Sequence, residues 1–440
     1  MSPAVLQRFL ARVVAVRPGE MQALLWSFAY FFCLLAGYYV LRPLRDEMGI
    51  AGGVRNLQWL FIATFLVMLA AVPVFGALVA RLPRRRFVPL VYHFFAANIA
   101  IFWLMLEFDV GKLHVARVFF VWISVFNLFA VSVFWSFMAD LYSSEQGKRL
   151  FGFIAAGGQA GALLGPILVV QLVEPLGTTN LLIVAAVLLE LAIICARRLE
   201  AAAQGSLQQK TDVPADEGQA APAAKRDTEA LGGGWFAGIA MLLRSPYLAG
   251  IALWVALLSL AGTFLYFQQA NIVAAASDDP AVRTRIFASI DLAIGVLTLI
   301  VQFFATGRLI ARFGAGPAAA ALPLVFALGF LVLAFSPMLA VVIAFQAIQR
   351  TANFALSNPA REILFTVLTR EEKYKAKNVI DIVVFRGADA ASGWLFAALR
   401  AAGVELSALS LATVPVALAW LGLALALGRS QERRAKSSAE

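Results

Sequence analysis

The sequence predicts an all-α membrane protein with twelve transmembrane helices arranged as two six-helix pseudo-repeats. Three observations lead there. The 440 residues are 61% hydrophobic and only 14% charged, with a mean hydropathy of +0.82. A soluble domain is typically about 45–50% apolar and about 25% charged. The apolar residues fall into runs of roughly 20, the length of one spanning helix. The Lys and Arg residues are shared unequally between alternate connectors, which gives the chain an orientation.

The first six spans fall near 21–43, 57–80, 87–106, 115–140, 151–173 and 178–197. A basic stretch with Arg8, Arg12 and Arg17 leads into the first, with no cleavable signal pattern. The fifth carries Gly152, Gly157, Gly158, Gly161 and Gly165 before Pro166. Small residues at about every fourth position suit a seam on which helices pack closely and slide. Residues 199–245 are rich in Ala, Gln, Gly, Asp and Lys and predict a largely disordered cytoplasmic linker. The other six spans fall near 247–275, 285–311, 318–336, 338–366, 379–401 and 406–428. The domains expected are thus an N-terminal half (1–198), the linker, a C-terminal half (246–428) and a tail (429–440).

With the N-terminus in the cytoplasm, about 25 Lys and Arg residues fall on that side and about six on the other. Both termini are therefore expected in the cytoplasm. The net charge of +10 is then a topology signal and suits an anionic lipid surface. It does not imply nucleic acid. The halves are also related in sequence. Gly76-Ala-Leu-Val-Ala-Arg81 closes span two and Gly307-Arg-Leu-Ile-Ala-Arg312 closes span eight. Parallel six-span repeats of this kind resemble the architecture of major facilitator transporters.

Charges inside a span are costly and usually mark an aqueous path or a paired site. Span one ends on Tyr38, Tyr39, Arg42, Pro43, Arg45, Asp46 and Glu47. Tyr38 and Arg42 are four apart and share a helix face, and Arg45 stays on it if Pro43 does not end the helix. A cation column beside an aromatic suits a phosphate or carboxylate. Snorkelling interfacial arginines would present the same pattern. Span ten holds Gln346, Arg350 and Asn353 on one stripe, with Arg361 and Glu362 two turns further, after Pro359. Such a stripe faces a cavity or forms an interhelical hydrogen-bond seam. Span eleven carries Asp381, Arg386 and Asp389, the last two spaced to pair. Asp291 in span eight reads as more isolated, a candidate for proton coupling. A cytoplasmic gate is expected from Arg81, Arg84, Asp140 and Arg312.

Cys33 and Cys195 both lie in apolar runs, and His93 and His114 are far apart in sequence, so no disulfide framework, metal site or cofactor is expected. No Walker-type loop or H-E-x-x-H motif occurs, which argues against an ATP-driven pump and a membrane protease.

Tyr39-Val-Leu-Arg42-Pro-Leu-Arg45-Asp46 resembles the first-span signature of the ATP/ADP translocases, a Y-x-x-L-R-x-x-K-D pattern. Asn358-Pro-Ala-Arg361-Glu362, the basic Thr369–Lys377 stretch and Ile380-Asp381 through Asp389 look like a bacterial major facilitator branch related to them. In the translocases, basic residues near the position of Arg45 help recognise nucleotide phosphates; here that position is Arg and Pro43 intervenes. The resemblance implies a transporter, not an enzyme. The expectation is a monomeric secondary active transporter of the bacterial inner membrane. It would move a small, anionic organic solute between its halves by alternating access, with nucleotide exchange as one rival. Efflux of an amphipathic compound and a non-transporting membrane sensor are the others.

Overall fold

A computed structural model describes residues 16–17, 19–81, 84–211, 241–242, 244–369, 372, 376–377 and 379–437. Among them every extended element is helical. In order these are α1 (Met21–Ala51), α2 (Leu57–Arg81), α3 (Arg84–Glu107) and α4 (Lys112–Leu141). The stretch Ser144–Thr211 breaks at Gly177, whose φ of 77° and ψ of 166° are outside helical space. It therefore comprises α5 (144–176) and α6 (178–211). Then follow α7 (Pro246–Ala276), α8 (Pro280–Phe313), α9 (Ala315–Phe335), α10 (Leu339–Val367), α11 (Val379–Ala401) and α12 (Leu406–Ser437). The twelve expected spans map one to one onto these twelve helices.

Local chemistry sets several boundaries. Ser245 caps α7, its Oγ accepting from the Leu248 N–H at 3.4 Å, with Pro246 at the first helical position. Asp279 does the same for α8 with the Ala281 N–H at 2.8 Å and Pro280. Proline at that position loses no intrahelical hydrogen bond. Pro43, by contrast, does not end α1, which runs on to Ala51. The expected linker also begins as helix. α6 continues to Thr211 because eight of the ten residues 201–210 are Ala, Gln, Leu or Lys, which favour helix and outweigh Gly205 and Ser206. Residues 212–240 of the expected linker lie outside the described residues.

Three helices contain one wide turn with i→i+5 geometry. These are Gln302–Thr306 in α8, Asn353–Ser357 in α10 and Val379–Val384 in α11. Such turns are rare and frequently sit at functional sites. The turn in α10 comes immediately before Pro359, where the ring would otherwise clash with the preceding turn.

The chain divides into two compact units. Unit 1 comprises Met1–Arg45, Ala71–Val115 and Trp122–Ala230. Its core holds Tyr30, whose hydroxyl donates to Tyr92 at 2.7 Å; Tyr92 in turn donates to the Ala130 carbonyl at 3.0 Å. All this is fully buried, so the phenols satisfy one another where water is excluded. The glycines of α5 pack on α1. A Cβ at Gly157 would lie 2.6 Å from the Phe28 carbonyl, and one at Gly165 2.6 Å from Tyr39 Cβ. Unit 2 comprises Asp46–Ala70, Ala116–Val121 and Leu231–Glu440. Trp254, Trp420, Phe326 and Phe330 form its core, each less than 2% exposed. Gly316 of α9 and Gly428 of α12 meet backbone to backbone. Large apolar side chains also point outward, Phe303 at 85% and Phe335 at 77% exposure among them. Hydrocarbon tolerates such a surface and water does not.

Candidate functional site

The polar groups of unit 2 meet along α7. Ser259, Thr263, Tyr266 and Gln269 fall at i, i+4, i+7 and i+10 and so line one stripe of that helix. At its first level Asp389 of α11 accepts from Ser259 Oγ at 2.5 Å and Thr263 Oγ1 at 3.2 Å. Arg386, one turn earlier, reaches the other carboxylate oxygen at 3.5 Å. A second level is made of amides. Gln346 donates to Gln269 at 2.5 Å and accepts from Gln349 at 2.8 Å. All three are buried. Beside them Arg350 of α10 donates to Asp291 of α8 at 3.0 Å, with the carboxylate only 2% exposed. The expected isolation of Asp291 is thus corrected. The two residues are 59 apart in sequence, and only the packing of α8 against α10 brings them together.

Two further pairs lie beyond the wide turn of α10. Arg361 bonds Asp381 of α11 at 3.1 Å, and Glu362 bonds Lys377 at 2.7 Å. Arg361 and Glu362, adjacent in sequence, therefore serve different partners. Asn353 is half-buried and opens the wide turn itself. At the far end of unit 2, Tyr266 donates to Asp46 at 3.0 Å, and Arg283 donates to Glu47 at 2.8 Å with both charges nearly buried. The α7 stripe was missed in the sequence, as were the partners of Asp46 and Glu47. The signal was there: the spacing that marks span ten recurs in span seven.

In unit 1, Arg42 lies over the ring of Tyr39 at 5.5 Å, within reach of a cation–π contact. Tyr38, expected as its aromatic neighbour, packs instead against Tyr39 and Phe126. The aromatic that Arg42 meets is thus the one three residues back. Arg45 is half-buried on the same helix. The expected gate is only partly visible. The side chains of Arg81 and Arg84 lie outside the described residues, Asp140 is exposed, and Arg312 stacks on Phe313 at 5.5 Å. Glu145, in the first turn of α5, bonds Arg17 at 2.5 Å. Glu20, just ahead of α1, bonds Arg149 at 2.9 Å. Burial pushes its carboxyl up, but hydrogen bonds from Arg149, the Arg17 N–H and Gln146 outweigh that and hold it at about 2.

An all-helical chain of this apolarity, with its charges paired inside the bundles, is a multi-pass membrane protein. The family model of the Major Facilitator Superfamily matches residues 24–345, and the chain belongs to that superfamily of transporters. It is a transporter and not an enzyme. Solved structures agree in fold. A POT family transporter in complex with 5-aminolevulinic acid is 13% identical with a TM-score of 0.60, covering 93% of this chain and 96% of that one. The nucleoside transporter NupG is 12% identical at 0.59, covering 96% and 100%. A bacterial homologue of the human lysosomal transporter Spinster is 14% identical at 0.54, covering 94% and 99%. At these identities the likeness concerns the fold alone. No curated protein matches the chain significantly.

Proposed function

We propose that this protein is a secondary active transporter of the bacterial inner membrane that moves a small organic anion by alternating access. It works as a monomer with both termini in the cytoplasm. The observation that carries this reading is the pair of half-buried arginines, Arg350 and Arg386, each held by a carboxylate on the polar face of unit 2. A paired guanidinium has a low resting cost and exchanges its carboxylate for that of a substrate. A carboxylate released in this way is free to take a proton, which couples uptake to the proton gradient; Asp291 and Asp389 fill that role. Arg42 and Arg45 add cations on the unit 1 side of the chain's first helix. The passengers named for the fold neighbours, nucleosides and 5-aminolevulinic acid, are small polar organic solutes.

The test is uptake of radiolabelled organic acids into proteoliposomes under an imposed proton gradient. Arg350→Ala is expected to abolish uptake. Uptake that is unchanged in that variant and in Arg386→Ala refutes the anion reading. A second reading, nucleotide exchange, is favoured by the span-one resemblance around Arg42 and Arg45. It predicts ATP uptake only into liposomes preloaded with ADP, with no need for a proton gradient.

A further inference from the structure

The outer surface of unit 1 carries a charged triad that the transport reading does not use. His93 of α3 sits between Glu190 and Arg197 of α6. Its Nδ1 lies 3.1 Å from Glu190 Oε1 and its Nε2 3.3 Å from Arg197 Nη2. With the ring proton on Nδ1, the imidazole donates to the carboxylate and accepts from the guanidinium. The triad points outward: the His93 and Glu190 side chains are each 46% exposed. Val187, Leu191 and Ile194 on α6, and Leu90 and Phe94 on α3, surround it at 42–60% exposure. Val187, Glu190, Ile194 and Arg197 step by three and four along α6 and therefore share one face.

This is a polar island on an otherwise apolar, lipid-facing wall. Arg197 and Arg198 close the apolar run of α6, and Glu190 lies seven residues earlier. At about 1.5 Å per residue its Cα is roughly 10 Å deeper. Hydrocarbon offers a carboxylate at that depth no hydrogen-bond donor, and charged groups there normally face inward. One imidazole ring separates the negative end of the triad from the positive end, so the site presents an acceptor and a donor side by side.

We propose that the triad binds the headgroup of a phospholipid bearing a primary ammonium, of the ethanolamine type. The ammonium donates to Glu190, the phosphate accepts from Arg197 with the exposed Arg198 beside it, and His93 spaces the two. The headgroup lies along α6 rather than projecting into water. A purely anionic headgroup has no cation to set against Glu190. A choline headgroup has the cation but no N–H to donate. The inference is independent of what the protein carries.

The test uses the full chain, released from detergent for native mass spectrometry with ethanolamine, choline and glycerol phospholipids of identical acyl chains. The ethanolamine lipid is expected to be retained over the other two by about fivefold, the factor one charge contact at a membrane surface supplies. Glu190→Gln is expected to remove that preference, and Arg197→Gln to weaken retention of all three, with transport unchanged. His93→Gln supplies a third variant if either of those fails to fold. Equal retention of the three lipids overturns the proposal, as does a preference that survives Glu190→Gln. A monomer–dimer shift on Glu190→Gln also overturns it, by assigning the surface to a second copy of the chain.

Discussion

Replacing Arg350 by Gln leaves the Asp291 carboxylate, 2% exposed, without the guanidinium 3.0 Å away. At an effective dielectric of about 20, two charges about 4 Å apart attract by about 4 kcal/mol. Breaking one side of a buried pair also strands the other, and such changes cost about 3–5 kcal/mol. Replacing both partners at once, Asp291→Asn with Arg350→Gln, leaves two amides of similar volume and no buried charge. The single variant is therefore expected to melt well below the parent and the double variant to recover most of the loss. For a unit of this size each kcal/mol moves the midpoint by about 2 °C, so the single variant falls by roughly 6–10 °C. The assay is thermal unfolding followed by intrinsic fluorescence in detergent at pH 7, run as a four-member cycle with Asp291→Asn. The cycle isolates the coupling between the two residues. A double variant that melts as low as the worse single, with a coupling below about 0.5 kcal/mol, refutes the reasoning.

Three further outcomes follow from other parts of the molecule. Glu20 is held at about 2, against an ordinary value of 4.5. Its contribution to stability is thus present above pH 4.5 and is lost as the pH falls through 2; acid titration of the melting midpoint should show a shallower limb in Glu20→Gln, and identical limbs contradict this. Gly161→Val places a Cβ against the Phe32 carbonyl and 2.9 Å from the Ala36 nitrogen, whereas Gly152 has nothing within 4 Å. Recovery of monodisperse protein on size exclusion should collapse for the first and stay level for Gly152→Ala. Asp389→Asn keeps the hydroxyl contacts of Ser259 and Thr263 while removing the titratable group. Proton-driven accumulation should be lost while counterflow exchange persists; loss of both together would mean that Asp389 is structural.

The spans were legible because hydrophobic length is a local property. Expected boundaries of 379–401 and 406–428 meet helices at Val379–Ala401 and Leu406–Ser437. The overrun of α12 reflects Gln431-Glu432-Arg433-Arg434, polar but helix-forming, with Arg434 settled over the Tyr247 ring at 4.6 Å. Arg386–Asp389 was legible for the same reason, being three apart on one helix. Asp291–Arg350 and Arg361–Asp381 were not, because nothing in a single helix says which neighbour it will meet. Glu47–Arg283, separated by 236 positions, is the extreme case. Tyr39 in place of Tyr38 under Arg42 shows a finer limit: spacing fixes the face, and rotamer choice fixes the neighbour.

The wide turn at Asn353–Ser357 bears on how such a sequence changes over time. A turn of this kind holds one residue more than its α-helical counterpart, so it advances the helical phase by about 100° for everything after it. Arg361 therefore stands where a regular helix would have placed its predecessor, Ala360. Ala360 is wholly buried while Arg361 meets Asp381, so the extra residue decides which of the two meets that carboxylate. A one-residue deletion here would leave the chain hydrophobic enough to span and every motif intact to the eye. It would nonetheless turn the charged segment from its partners. Length variation at this point thus acts on every contact that follows it in α10.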